Sequence, residues 1–157
     1  MKKFLMFVLA GTLLLSACGA PMEGSMEAKD AWARTGMKDG NSAAYMMLAN
    51  GAGQDDELVG ASSDAANAVE VHLSQMGADG VMQMLQQESV AVPAGGMLEL
   101  KPGSYHVMLI GLKQDLNVGD SITLTLHFKN NGELTLTVPV KDAADMGGSG
   151  MDGHTMP

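Results

Sequence analysis

His72, Met84, His106 and Met108 are the residues of this chain whose types and spacing could do chemistry. Eleven residues separate His72 from Met84, twenty-one separate Met84 from His106, and Val107 alone separates His106 from Met108. Side chains two apart in a β-strand leave on the same side, so the His106-Val107-Met108 triplet aims an imidazole and a thioether one way and Val107 the other. Thioether sulfur is soft and uncharged, a poor match for Mg²⁺, Ca²⁺ or Zn²⁺ and a good one for Cu(I), and imidazole accepts copper in either oxidation state. A structural zinc site would show Cys and His spacings that are missing here, and a blue-copper electron-transfer site needs a Cys ligand. The chemistry this set allows is therefore the holding of one soft cation by neutral donors and its release by ligand exchange. Acid should weaken the binding, since a metal-binding imidazole must be neutral.

The remaining histidines and methionines carry weaker signals. Met82 shares strand parity with Met84 and Met76 lies just upstream, so both read as packing or rim residues, with accessory ligation as the alternative. Met46, Met47 and Met97 fall where strands should bury apolar groups and read as core filling. His127 sits on the polar side of an alternating strand and reads as solvated, and Trp32 and Tyr45 read as packing residues. Near the C-terminus Met146, Met151, His154 and Met156 repeat the His/Met theme, either as a second copper-capturing group or as an inert tail. Nothing points to an enzyme: there is no cysteine nucleophile within the domain, no nucleotide-binding glycine loop and no recognisable Ser/His/Asp set.

Short alternating runs separated by turn formers must position these residues. Ile122, Leu124, Leu126 and Phe128 alternate with polar neighbours, and Asn130-Asn131-Gly132 turns the chain into Leu134, Leu136 and Val138, a β-hairpin with one face buried. Further strands are expected over 30–34, 43–49, 57–61, 68–74, 81–91, 97–100 and 105–111. No long 3.6-residue periodicity and no repeat occurs, and the economical fold is an all-β, mostly antiparallel Greek-key sandwich or barrel.

The chain opens with Lys2 and Lys3, an apolar run from Phe4 to Leu15, and small residues before Cys18, the pattern of a secretory signal over residues 1–17. Leu15-Ser16-Ala17-Cys18 resembles the lipobox of bacterial lipoproteins, which implies a lipidated Cys18 holding the protein at a membrane outside the cytoplasm, in the periplasm or at the cell surface. Two acyl chains anchor stably where one is marginal. Cys18 is the one cysteine, so no thiol remains for a metal site once it is lipidated. Residues 18–28 read as a tether, 29–141 as one domain, and the glycine-rich 142–157 as a disordered tail. The formal net charge is −9 and becomes more negative when Lys2 and Lys3 leave with the signal, which excludes nucleic acid as a partner.

The chain resembles the PCuAC-type periplasmic copper(I) chaperones, here in lipoprotein form. The similarity is carried by Asp30-Ala31-Trp32-Ala33-Arg34, Ser42-Ala43-Ala44-Tyr45, Val69-Glu70-Val71-His72, Gly80-Val81-Met82-Gln83-Met84, Val92-Pro93-Ala94-Gly95-Gly96 and the run from Lys101 to Leu112. The family's ligand motif falls on His72, Met84, His106 and Met108. The resemblance implies a cupredoxin-like fold, Cu(I) as the bound ion, and delivery to the CuA centre in subunit II of cytochrome c oxidase, alongside a Sco-type partner in some cases; a monomer is expected. Copper sequestration for tolerance, with no dedicated acceptor, is the alternative function. One departure is visible: family members often carry a further Met or His just after the first ligand, where this chain has Leu73, Ser74 and Gln75 before Met76.

Overall fold

The computed structural model describes residues 24–146. Cys18 and the tail residues Met151, His154 and Met156 lie outside them.

Alternation of apolar and polar side chains builds ten strands: β1 (Met26–Arg34), β2 (Asn41–Asn50), β3 (Asp56–Ser63), β4 (Ala66–Met76), β5 (Met82–Gln86), β6 (Val90–Val92), β7 (Met97–Leu100), β8 (Tyr105–Leu112), β9 (Ser121–Phe128) and β10 (Gly132–Lys141), followed by a 3₁₀ turn, Ala143–Met146. In β9, Ile122, Leu124, Leu126 and Phe128 are buried, as the alternation predicts. The β9–β10 hairpin pairs in continuous register from Gly132 opposite Phe128 to Pro139 opposite Ser121, and Gly132 takes the positive φ of 74° that its turn requires.

The strands hydrogen-bond in the order β5-β4-β8-β2-β1-β10-β9-β3-β6, with β7 pairing the far end of β2. Pairing is antiparallel throughout except between β1 and β10. The two halves share one interior: Leu48, Val71, Val107 and Leu109 from β2, β4 and β8 are buried in the same cluster as Leu58, Leu124, Leu126 and Val138 from β3, β9 and β10. Each such side chain withdrawn from water contributes roughly 1.5–3 kcal/mol. The result is the all-β, mostly antiparallel arrangement expected from the alternation of the sequence.

β1 joins the halves through a bulge. Its register with β2 shifts between Lys29 and Trp32, and Asp30 there has a φ of 53°, a left-handed conformation that Asp tolerates better than most residues. Beyond the bulge Ala33 is buried in the main core, while its neighbour Trp32 is buried in a separate small cluster with Ala43 and Tyr45. That second cluster lies on the outer face of the sheet. β1 also takes in Met26–Ala28, residues read from sequence as tether, and Met26 is buried.

Two expectations need correction. The single strand over 81–91 is two strands on different parts of the sheet: β5 pairs β4, and β6 pairs β3. All five residues of β5 are exposed while Val90 and Val92 are buried, so the polar Glu88-Ser89 break separates an edge strand from a core strand. Met97 is 67% exposed and fills no core, whereas Met46 is buried and Met47 half-buried; Leu98 and Leu100 take the inward positions of that short strand.

Asp56 is a buried carboxylate at the start of β3. It accepts from the backbone N–H groups of Glu57 (2.8 Å), Asn130 (2.9 Å) and Asn131 (2.9 Å) and from the Asn131 side-chain amide (2.6 Å). Those bonds pin the β9–β10 turn to the start of β3, on the edge that pairs with β9.

Candidate metal centre

β8 supplies the first two groups. Val107 and Leu109 point inward and are fully buried, which sends His106 and Met108 to the outer face. His106 is nevertheless only 3% exposed. The Tyr45 ring lies 6.3 Å from it between centroids, and Trp32 packs on Tyr45 at 4.7 Å. The outer apolar cluster is thus a dry wall against one side of the imidazole.

Strand register supplies the rest. His72 on β4 stands directly opposite His106, and Glu70 opposite Met108. On the far side of β4, Ser74 stands opposite Met84 of β5. The two imidazoles meet edge to face, 5.9 Å between centroids with planes at 62°. A cavity of about 280 Å³ is lined by Ala43, Tyr45, Ser74, Met84, His106 and Met108 among others. Three of the four sequence-identified residues therefore share one cavity. His72 does not line it; it stands beside His106, across the ring contact.

Hydrogen bonds select the tautomers. His106 Nδ1 donates to the carbonyl of Ser104 at 3.0 Å. A carbonyl can only accept, so Nδ1 carries the proton and Nε2 keeps its lone pair. His72 Nε2 donates to Glu70 Oε2 at 2.7 Å, leaving Nδ1 as the basic nitrogen. That Nδ1 is buried and has no hydrogen-bond partner. An unpaired lone pair withdrawn from water costs on the order of 1–3 kcal/mol, and a cation placed there would satisfy it.

One cavity thus gathers the His106 imidazole and the thioethers of Met84 and Met108, with the His72 imidazole against His106, and all of these groups are uncharged. Among the described residues no three His, Cys, Asp or Glu side chains converge on a point that could hold a metal ion, so a hard-cation or zinc-type cage is not built from them. The arrangement suits a soft monovalent ion. Glu70 and the Ser104 carbonyl, which orient the two rings, were not singled out in the sequence. Glu70 could have been, since it precedes His72 by two residues in a strand and so shares its face.

The other sequence candidates lie elsewhere. Met76 and Met82 are exposed on the β4–β5 hairpin, and Met146 belongs to the 3₁₀ turn. His127 is half-buried, with Nδ1 3.1 Å from Glu133 and Nε2 3.0 Å from Ser62 Oγ, so both of its ring nitrogens are engaged.

Residues 26–140 match a family model described as putative lipoprotein LpqE-like. The chain is 33% identical over 119 residues to a putative lipoprotein of Leifsonia xyli subsp. xyli, covering 74% of this chain and 70% of the relative. It is 33% identical over 125 residues to an uncharacterized protein of Rickettsia prowazekii, covering 76% and 68%. Among solved structures it is similar to the copper-bound PCuAC domain from PmoF2, with a TM-score of 0.62 and 24% identity over 74% of this chain and 92% of that one. The solution structure of CuI-DR1885 from Deinococcus radiodurans matches with a TM-score of 0.55 and 30% identity over 74% and 79%.

Proposed function

Because this chain belongs to the LpqE-like family of putative lipoproteins and has the fold of PCuAC domains, we propose that it is a membrane-anchored extracytoplasmic protein that binds one Cu(I) ion and passes it to an acceptor. The ligands are His106 through Nε2, His72 through Nδ1, and the sulfurs of Met84 and Met108. The observation that carries this assignment is the buried, unpartnered Nδ1 of His72 beside an imidazole whose Nε2 is free. The copper-bound state of two structural neighbours supports it.

Copper is cargo in this reading, and the chain's residues do three things to it. Tyr45 and Trp32 keep one flank of the site dry, which strengthens its polar interactions. Glu70 and the Ser104 carbonyl fix which nitrogen of each imidazole is available. Met84, which is 60% exposed yet lines the cavity, keeps one side accessible to an incoming ligand. Four neutral donors hold the ion without the charge of a thiolate, so an acceptor carrying thiolates can take it by stepwise ligand exchange. The CuA centre of cytochrome c oxidase subunit II is such an acceptor, directly or through a Sco-type partner.

Residues 1–17 act as the export signal and Cys18 carries the lipid. No helix among the described residues is long and apolar enough to cross a membrane, and the anchor supplies the attachment.

Anaerobic Cu(I) titration of the wild type against His106→Ala and Met108→Ala tests the site. The expected result is one tightly held ion that both variants lose or hold far more weakly. Unchanged stoichiometry and affinity in both variants would refute the assignment.

A further inference from the structure

Met76, Met82 and Met84 occupy one face of the β4–β5 hairpin, the face that also carries His72. Met76 is directly opposite Met82, and Ser74 opposite Met84. Directly opposed residues of an antiparallel pair have Cβ atoms roughly 4.5–5.5 Å apart, and the diagonal from Met76 to Met84 is about 7–8 Å. Methionine has three rotatable side-chain bonds, so all three sulfurs can reach one point above the hairpin.

Packing does not account for these side chains. Met76 is 63% and Met82 53% exposed, and β5 is the end strand of the sheet, so no further strand among the described residues pairs along its outer edge. The hairpin that presents them is braced: Gly77 N donates to the Val81 carbonyl at 2.8 Å, Gly80 N to the Gly77 carbonyl at 3.0 Å, and Val81 N to Asp79 Oδ1 at 3.1 Å. Three thioethers held in water on a fixed frame forgo apolar burial, which signals a binding role. The ligand class that thioethers select is a soft monovalent cation.

We propose that Met76, Met82 and Met84 form an outer Cu(I) site through which the ion passes to and from the inner site, with Met84 common to both. This rests on the copper-binding role proposed above. Met84 is both exposed and part of the cavity wall that holds His106 and Met108, so the ion changes partners without being set free. The bond to Met84 sulfur is kept while the bonds to Met76 and Met82 sulfurs break one after the other and bonds to His106 Nε2 and Met108 sulfur form in their place. Copper stays monovalent, and no proton or electron moves. Lacking nitrogen donors, the outer site is the weaker of the two, which directs the ion inward when no acceptor is present.

The test uses the full chain with ¹³C-labelled methionine methyls, titrated with Ag(I) as a diamagnetic surrogate for Cu(I), each methyl assigned individually so that Met146, Met151 and Met156 are distinguished. Met84 and Met108 should respond to the first equivalent, and Met76 and Met82 to the second. In a His72→Ala/His106→Ala double variant Met76, Met82 and Met84 should still respond, because the outer site needs no imidazole. In Met76→Leu/Met82→Leu the inner site should still fill, while Cu(I) release to a chelator slows several-fold. Met76 and Met82 methyls that stay unmoved in excess Ag(I), in both wild type and the double histidine variant, would overturn the outer site. Silence at Met108 with a response at Met76 and Met82 would instead sink the inner site alone.

Discussion

Glu70 Oε2 lies 2.7 Å from His72 Nε2, and the bond decides which nitrogen of that imidazole keeps its lone pair. An ionised carboxylate is an acceptor only, so it holds the proton on Nε2 and leaves the buried Nδ1 basic. Partners of this kind orient a ligand and raise its basicity, and their loss commonly costs about 10–100-fold in metal affinity. Glu70→Ala should weaken Cu(I) binding by about that factor, measured by competition with a chromophoric Cu(I) chelator. Glu70→Gln keeps an acceptor oxygen and should lose less. Imidazole ¹⁵N shifts of the metal-free protein give a readout that stability does not move: His72 should change from one Nε2–H tautomer to a mixture in Glu70→Ala. Wild-type affinity and an unchanged tautomer would remove Glu70 from the site.

Tyr45 stands between Trp32 and His106, and it should transmit the state of the site to the one tryptophan of the chain. An ion taken up at His106 should restrain the imidazole against Tyr45, and Trp32 emission should then change in step with Cu(I) or Ag(I) loading. Tyr45→Ala removes a buried ring and should cost about 3–5 kcal/mol of stability, seen as a lower midpoint in urea. Tyr45→Leu refills part of the volume, should recover much of that stability, and should still uncouple Trp32 emission from binding. Trp32 emission that tracks loading equally well in Tyr45→Leu would count against this contact as the relay.

Asp56 should set the acid limb of stability. Burial alone would raise its carboxyl, but the N–H groups of Glu57, Asn130 and Asn131 and the Asn131 amide together hold it below the ordinary carboxylate value. The folded value therefore lies under the unfolded one. Its stabilisation is fully present above the unfolded value and is lost as pH falls through the depressed folded value. Thermal melts stepped downward from neutral pH should show this loss. Asp56→Ala should cost about 2–4 kcal/mol at neutral pH, because several donors lose their acceptor, and should flatten the acid limb. A variant whose melting point kept the wild-type pH profile would assign the acid transition to other groups.

The strands were legible wherever alternation was regular, as in β9, or where a short apolar pair was framed by turn formers, as in β7. Legibility failed at 81–91, because one stretch of sequence serves two strands on opposite ends of the sheet and periodicity says nothing about partners. Met97 was misassigned for a related reason: at the start of a four-residue strand the apolar type is no guide to which face is inward. In the candidate site the chemistry of the donors could be read from residue types. Their placement could not, because the meeting of His72 with His106 across β4 and β8 is a register set by the whole sheet. The dry wall of Tyr45 and Trp32 follows from a bulge at Asp30 that no apolar pattern announces.

Met84 and Met108 allow the chemistry of sulfur to be separated from the packing of a side chain. Met→Leu is close to volume-conserving and usually costs less than about 1.5 kcal/mol even in a core. Met84 is 60% exposed, so Met84→Leu should leave the melting point of the metal-free protein nearly unchanged. Leucine offers no lone pair, however, and a site reduced to two imidazoles and one thioether should bind Cu(I) at least about tenfold more weakly, about 1.4 kcal/mol. Met108→Leu should do the same with a somewhat larger effect on folding, because Met108 is half-buried between Ala43 and Glu70. X-ray absorption of the loaded wild type should show both nitrogen and sulfur neighbours, with sulfur depleted in each variant. Equal copper affinity and an unchanged sulfur shell in both leucine variants would mean that the thioethers line the cavity without binding the ion.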